Sequence, residues 1–166
     1  PFFDKVARHP LDQAFLSVLR NSDAPLVGLL PGSRAQEVRG NFPIMLEVVR
    51  RLRQRHPAAR YRVACYKQTQ LQMCRQMLAD AVRRDPLLGE VPIELEIGRT
   101  PEIIEAADCC LVVSGSVSLE LLARRTPAVI VYHGTWWLMV LRWIFVTCRY
   151  VTLPNLMAIT RASPYR

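Results

Sequence analysis

Lysine is scarce in this chain of 166 residues: of its 22 basic residues only Lys5 and Lys67 are lysines, and the others are arginines. Its five cysteines form no Cys-x-x-Cys pair, and an odd number argues against a complete disulfide framework. No His/Cys/Asp/Glu group has metal-ligand spacing, so no metal is expected. Neither G-x-G-x-x-G after the first apolar run nor G-x-x-x-x-G-K-[ST] occurs, which excludes the dinucleotide fingerprint and the P-loop. The most apolar stretch, 136–146, is too short to span a bilayer and is interrupted by Arg142. Internal repeats and low-complexity tracts are also missing.

What remains is a globular composition, 51% hydrophobic and 22% charged, enough for one domain with a sizeable core. The formal net charge of +8 suits nucleotide phosphates, nucleic acid or an anionic membrane face, beside the plainer reading of a solvated basic surface. Cys109 and Cys110 lie in an apolar run, where cysteine acts as a small hydrophobe. Structural thiols in a reducing cytosol are therefore expected. The chain opens on Pro1 and closes on Ser163-Pro164-Tyr165-Arg166, and reads as a piece of a longer protein.

Short apolar runs alternate with longer amphipathic ones. Residues 1–24 read as a linker with one short helix at 11–19, and 25–166 as the domain proper. Strands are expected at 26–30, 61–66, 93–97, 109–113, 128–132 and 150–153. Helices are expected at 35–55, 68–83, 101–107 (Thr100 as N-cap), 116–124 and 136–148. This alternation implies an α/β fold, a Rossmann-like doubly wound parallel sheet of about six strands. In the common strand order 3-2-1-4-5-6, ligands bind outside the carboxyl ends of strands one and four.

Two small-residue loops fall at those ends. Gly32, Ser33 and Arg34 follow strand one; they offer backbone donors, a hydroxyl and a guanidinium that grips phosphate bidentately. Ser114, Gly115 and Ser116 follow strand four and open a helix, where N–H groups favour an anion. A turn with a surface arginine and an ordinary N-cap are the bland alternatives. Glu120, one residue too far from Ser116 for a capping box, reads as an acceptor for two sugar hydroxyls or as a carboxylate favoured by the helix dipole. His133 lies near the same crevice, structural or functional. The segment 136–148, with three tryptophans and Arg142, fits a helix dipping into a membrane interface or one buried against protein. RNA binding is disfavoured because the aromatics gather on this one segment.

Leu30-Pro31-Gly32-Ser33-Arg34 with Glu37, Ala107-Asp108, Ser114-Gly115-Ser116-Val117-Ser118-Leu119-Glu120, Pro127 with Val131-Tyr132, and Leu153-Pro154-Asn155 resemble the lipid-A-disaccharide synthases in order and spacing. The resemblance implies the C-terminal half of a two-domain GT-B glycosyltransferase. Such enzymes transfer 2,3-diacylglucosamine from UDP to 2,3-diacylglucosamine 1-phosphate, with inversion, without a divalent metal or other cofactor, and peripherally on the cytoplasmic side of the inner membrane. By that likeness Gly32, Ser33 and Arg34 would bind the diphosphate, with Arg34 neutralising charge as UDP departs. Ser114, Gly115 and Ser116 would add phosphate contacts, Glu120 would take the ribose and Asn155 would line the cleft.

The general base would lie on an N-terminal domain not in this chain, leaving a fragment that binds but does not catalyse. Ser116 stands where the family has threonine, and His133 where it has a basic residue. The family's closing segments are not matched after Ala158, which would favour a homodimer or domain swap. The expected partners are the UDP-sugar, the lipid acceptor and an anionic membrane surface, not nucleic acid. Another UDP-sugar enzyme of the same fold, or a non-catalytic basic module docking on membranes, are the competing readings.

Overall fold

The computed structural model describes residues 6, 9–113 and 115–131. Helix α1 (Gln13–Arg20) is followed by β1 (Leu26–Leu30), α2 (Ala35–Arg55), β2 (Arg60–Cys65) and α3 (Gln68–Arg84). A 3₁₀ turn (Pro86–Glu90), β3 (Ile93–Ile97), α4 (Thr100–Ala106), β4 (Cys109–Val113), α5 (Val117–Arg124) and β5 (Ala128–Val131) complete the order. The sheet is parallel, in the order β3-β2-β1-β4-β5. This is the doubly wound arrangement the alternation predicts, with five strands among the described residues. The sixth predicted strand, the 136–148 helix, Ser114, His133 and Asn155 lie outside them.

Strand periodicity sorts the core into two layers. Val27, Leu29, Tyr61, Val63, Cys65 and Leu111 face α2 and α3, where Val38, Phe42, Met45 and Val49 recur at helical spacing and are buried. Pro43 lies inside α2 and removes one helical donor, yet the helix runs on because this continuous apolar stripe is packed on the sheet. Leu26, Leu30, Ala64, Cys110 and Val112 face the other way, onto Leu19, Ile103, Ile104 and Leu121. Gly28 belongs to that second face: a Cβ there would stand 2.7 Å from Cys110 Sγ, so glycine admits the close packing of β4 and α4.

Strand β3 splits its residues in the same way. Ile93 and Leu95 join the α2/α3 layer, whereas Glu94 and Glu96 both pair with the nearly buried Arg62 of β2. A guanidinium taken out of water requires such partners.

Helix α1 shares the second layer. Leu16 and Leu19 are buried, and Asp12 caps the helix by accepting the Phe15 N–H. Arg99 binds Asp12 at 2.7 Å and lies over the Phe15 ring, tying α1 to the start of α4. The predicted N-cap at Thr100 is corrected here: Thr100 is the first helical residue and the anchored Arg99 takes the cap position. Cys65, Cys74, Cys109 and Cys110 are free thiols. Burial, then the neighbouring Cys109, pushes the Cys110 thiol up to about 12, so it stays protonated and inert.

Candidate functional site

The strand order reverses between β1 and β4. These neighbours are paired in parallel, Leu30 opposite Val112, so their following loops leave the same edge of the sheet side by side. Gly32, Ser33 and Arg34 lie on one loop, Gly115 and Ser116 on the other. Topology thus brings together the two segments that sequence reading singled out. A crevice at such a reversal point is where open α/β sheets bind ligands.

The first loop is tightly built. Gly32 has φ +117, a region that favours glycine, and an added Cβ would approach Glu37 to 2.6 Å. Glu37, in the first turn of α2, folds its carboxylate back over the loop. Its Oε2 accepts the N–H groups of Ser33 (2.9 Å) and Arg34 (3.1 Å), and its Oε1 lies 3.4 Å from the Arg34 guanidinium. The backbone donors expected to receive a phosphate therefore hold an internal carboxylate. The Arg34 side chain is otherwise exposed.

The far side of the loop is held by Gln70, which is buried at the start of α3. Its amide nitrogen donates to the Ser33 carbonyl, and its amide oxygen accepts the Tyr66 N–H at 2.8 Å. Gln70 thus fastens the loop after β1 to the loop after β2. Sequence reading gave Glu37 only as part of a motif and did not notice Gln70. Its spacing from the first turn of α2 could have flagged Glu37, because a carboxylate at that place reaches the cap N–H. Its contact with Ser33, 37 positions away, leaves no local mark on Gln70.

The second loop has no internal carboxylate over it among the described residues. A Cβ on Gly115 would meet nothing within 4 Å among the described residues. Ser116 adopts helical dihedrals just before α5, and its exposed side chain makes no capping bond. The Ser118 hydroxyl is buried and has no hydrogen-bond partner among the described residues.

Glu120 is placed in the first turn of α5, as expected, but its Oε1 is engaged by Arg124 at 3.3 Å. The Arg124 guanidinium is almost fully buried and also binds Glu105 on α4 at 2.9 Å. Glu120 is therefore oriented by protein, with one oxygen already in use. The i, i+4 spacing of Glu120 and Arg124 was a legible sign of this pair.

Among the described residues no group of three His, Cys, Asp or Glu side chains gathers to hold a metal ion, and no helix is long and apolar enough to cross a membrane.

Comparison with known proteins gives a consistent set. A profile described as Lipid-A-disaccharide synthetase matches residues 1–164. The lipid-A-disaccharide synthase of Pseudomonas putida is 30% identical over 161 residues, covering 95% of this chain and 40% of that protein. The Myxococcus xanthus protein of the same name is 33% identical over 153 residues, covering 87% of this chain and 36% of its own length. That of Aromatoleum aromaticum is 36% identical over 138 residues, covering 82% of this chain and 34% of its own length. The chain spans 34–40% of the length of these relatives. With a match over nearly its full length and the loop motifs on one edge of a doubly wound sheet, the chain belongs to the lipid-A-disaccharide synthetase family.

Proposed function

We propose that this chain is the nucleotide-sugar-binding part of an inverting, metal-independent glycosyltransferase. The enzyme would move 2,3-diacylglucosamine from UDP to 2,3-diacylglucosamine 1-phosphate, giving the lipid A disaccharide and UDP. One observation carries this reading: in a member of this family, two Gly-Ser loops leave adjacent parallel strands where the strand order reverses.

In the reaction the bond from the anomeric carbon to the UDP oxygen breaks, while the acceptor hydroxyl oxygen bonds to that carbon from the opposite face. The hydroxyl proton goes to a base that the family resemblance assigns to the N-terminal part of such enzymes. Negative charge grows on the departing diphosphate. Gly32, Ser33 and Arg34 meet it with backbone N–H groups, a hydroxyl and a guanidinium, and such preorganised donors lower the barrier because they need not reorient. Gly115 and Ser116 supply further donors, and the family resemblance assigns Ser114 and Asn155, which lie outside the described residues, to the same ligand. Glu120, oriented by Arg124, accepts from the ribose. The lipid acceptor and an anionic membrane surface are the other partners, on the cytoplasmic side of the inner membrane.

Calorimetric titration with UDP, without and then with magnesium, tests the reading. Saturable binding that ignores magnesium and weakens roughly tenfold or more in Arg34→Ala is expected, since charge-assisted bonds to phosphate are the strong ones. Glu120→Ala should weaken it too. A folded chain that does not bind UDP would sink the proposal. Salt-sensitive binding to any polyanion, indifferent to Arg34, would favour the basic docking module instead.

A further inference from the structure

We propose that Glu37 is an internal competitor for the anion site, a residue that sets the affinity of the loop for phosphate by occupying it. The inference rests on the diphosphate reading above. Its basis is an identity of donors: the N–H groups of Ser33 and Arg34 and the Arg34 guanidinium are the groups offered to a phosphate. All three are engaged by the two oxygens of one carboxylate, at 2.9, 3.1 and 3.4 Å. A carboxylate carries the charge and acceptor geometry of a small oxyanion, so it substitutes for one at a helix start.

The surroundings make this occupancy the resting arrangement. Gly32, at φ +117, lies directly against the Glu37 side chain, leaving no room for both a Cβ and the carboxylate. Gln70 fixes the other side of the loop through the Ser33 carbonyl. The nest is therefore already shaped by the protein's own side chains, and a diphosphate enters by displacing one of them rather than by ordering a loop. Glu37 is partly exposed, so it has solvent to turn into once displaced.

Two consequences follow for selectivity and release. A diphosphate, carrying more charge than one carboxylate, displaces Glu37 more readily than a weak monoanion does. After transfer the same carboxylate reclaims the N–H groups and favours departure of UDP. The device thus weakens binding of substrate and product alike, which suits a site that must empty after each turnover.

Substitution separates this from a purely supporting role. Glu37→Gln keeps an acceptor oxygen in place but removes the charge. Glu37→Asp keeps the charge but is one methylene too short to span the same contacts. Calorimetry of the chain with UDP, and separately with inorganic pyrophosphate, should show affinity rising roughly tenfold in Glu37→Gln. A smaller rise is expected in Glu37→Asp, with melting curves confirming that both variants fold. Amide resonances of Ser33 and Arg34 should move on pyrophosphate addition in the unsubstituted chain.

Equal or weaker binding by Glu37→Gln, while the unsubstituted chain binds and Arg34→Ala does not, would overturn the competitor role and leave the nucleotide reading standing. Failure of all folded variants to bind UDP or pyrophosphate would overturn both. Weak binding by the unsubstituted chain beside clearly tighter binding by Glu37→Gln would be the strongest support.

Discussion

The loops after β1 and β4 use the same dipeptide, Gly32-Ser33 and Gly115-Ser116, and put it to different physical use. At the first, glycine supplies a positive φ, its neighbour's carbonyl is clamped by Gln70, and the backbone donors are satisfied by Glu37. At the second, no described residue lies within 4 Å of a Cβ added to the glycine, and the Ser116 side chain makes no capping bond. The helices behind them differ as well: α2 runs 21 residues over a fully buried apolar stripe, α5 only 8. A Gly-Ser step before a helix therefore defines a candidate anion loop but not its state. Whether such a loop is built and occupied, or open, depends on the side chains that reach back to it.

The contrast can be broken most sharply by adding one methyl to each glycine. Gly32→Ala must take a disfavoured dihedral and push into Glu37, so a stability loss of about 3 kcal/mol and loss of UDP binding are expected. Gly115→Ala should stay within about 0.5 kcal/mol of the parent in the same urea unfolding experiment. Equal effects at the two sites would show that the loops are not distinct.

Removal of the clamp comes next. Gln70→Ala leaves the Tyr66 N–H and the Ser33 carbonyl without their buried partner, a loss of about 2 kcal/mol. Hydrogen exchange should then quicken at Ser33 and Tyr66 and not at Gly115. Uniform quickening would mean that Gln70 supports the whole domain rather than this loop.

On the other side of the comparison, Ser118→Ala removes a buried hydroxyl that has no partner among the described residues. Its stability should change by no more than about 0.5 kcal/mol, or rise slightly, because no hydrogen bond to a described residue is lost. A clear destabilisation would reveal that Ser118 serves the second loop.

The smallest effect lies on the surface of α2. Arg50 first, then Arg51, holds the Glu47 carboxyl at about 2, below its ordinary 4.5. Since the folded value is the lower one, this contribution is present above pH 4.5 and fades as the pH falls toward 2. Glu47→Gln should flatten that part of the pH–stability curve slightly, and an unchanged curve would show the pair to be fully screened.

Most of the fold was legible because its signals are local. Apolar runs of strand length, and stripes such as Val38, Met45 and Val49, reveal their elements without knowledge of partners. The 3₁₀ turn at Pro86–Glu90 was not foreseen, as it has no apolar period of its own and rests on Asp85 accepting the Leu87 N–H. At the candidate site the loop residues were legible, whereas the long-range contact of Gln70 with Ser33 was not. Glu120 reads as a sugar acceptor or as a carboxylate favoured by the helix dipole, and the fold adds that Arg124, four residues on, binds one of its oxygens.

The order of the chain alone determined the alternation of strands and helices, the positions of both Gly-Ser loops and the family likeness, all of which follow from short-range pattern. Only the tertiary structure decided that β1 and β4 lie side by side, that Gln70 reaches Ser33 from another loop, and that a carboxylate rather than empty space meets the Ser33 and Arg34 donors. The reason is physical: periodicity records which face of an element is apolar, whereas the partner of a backbone N–H is whichever acceptor the folded chain brings within reach.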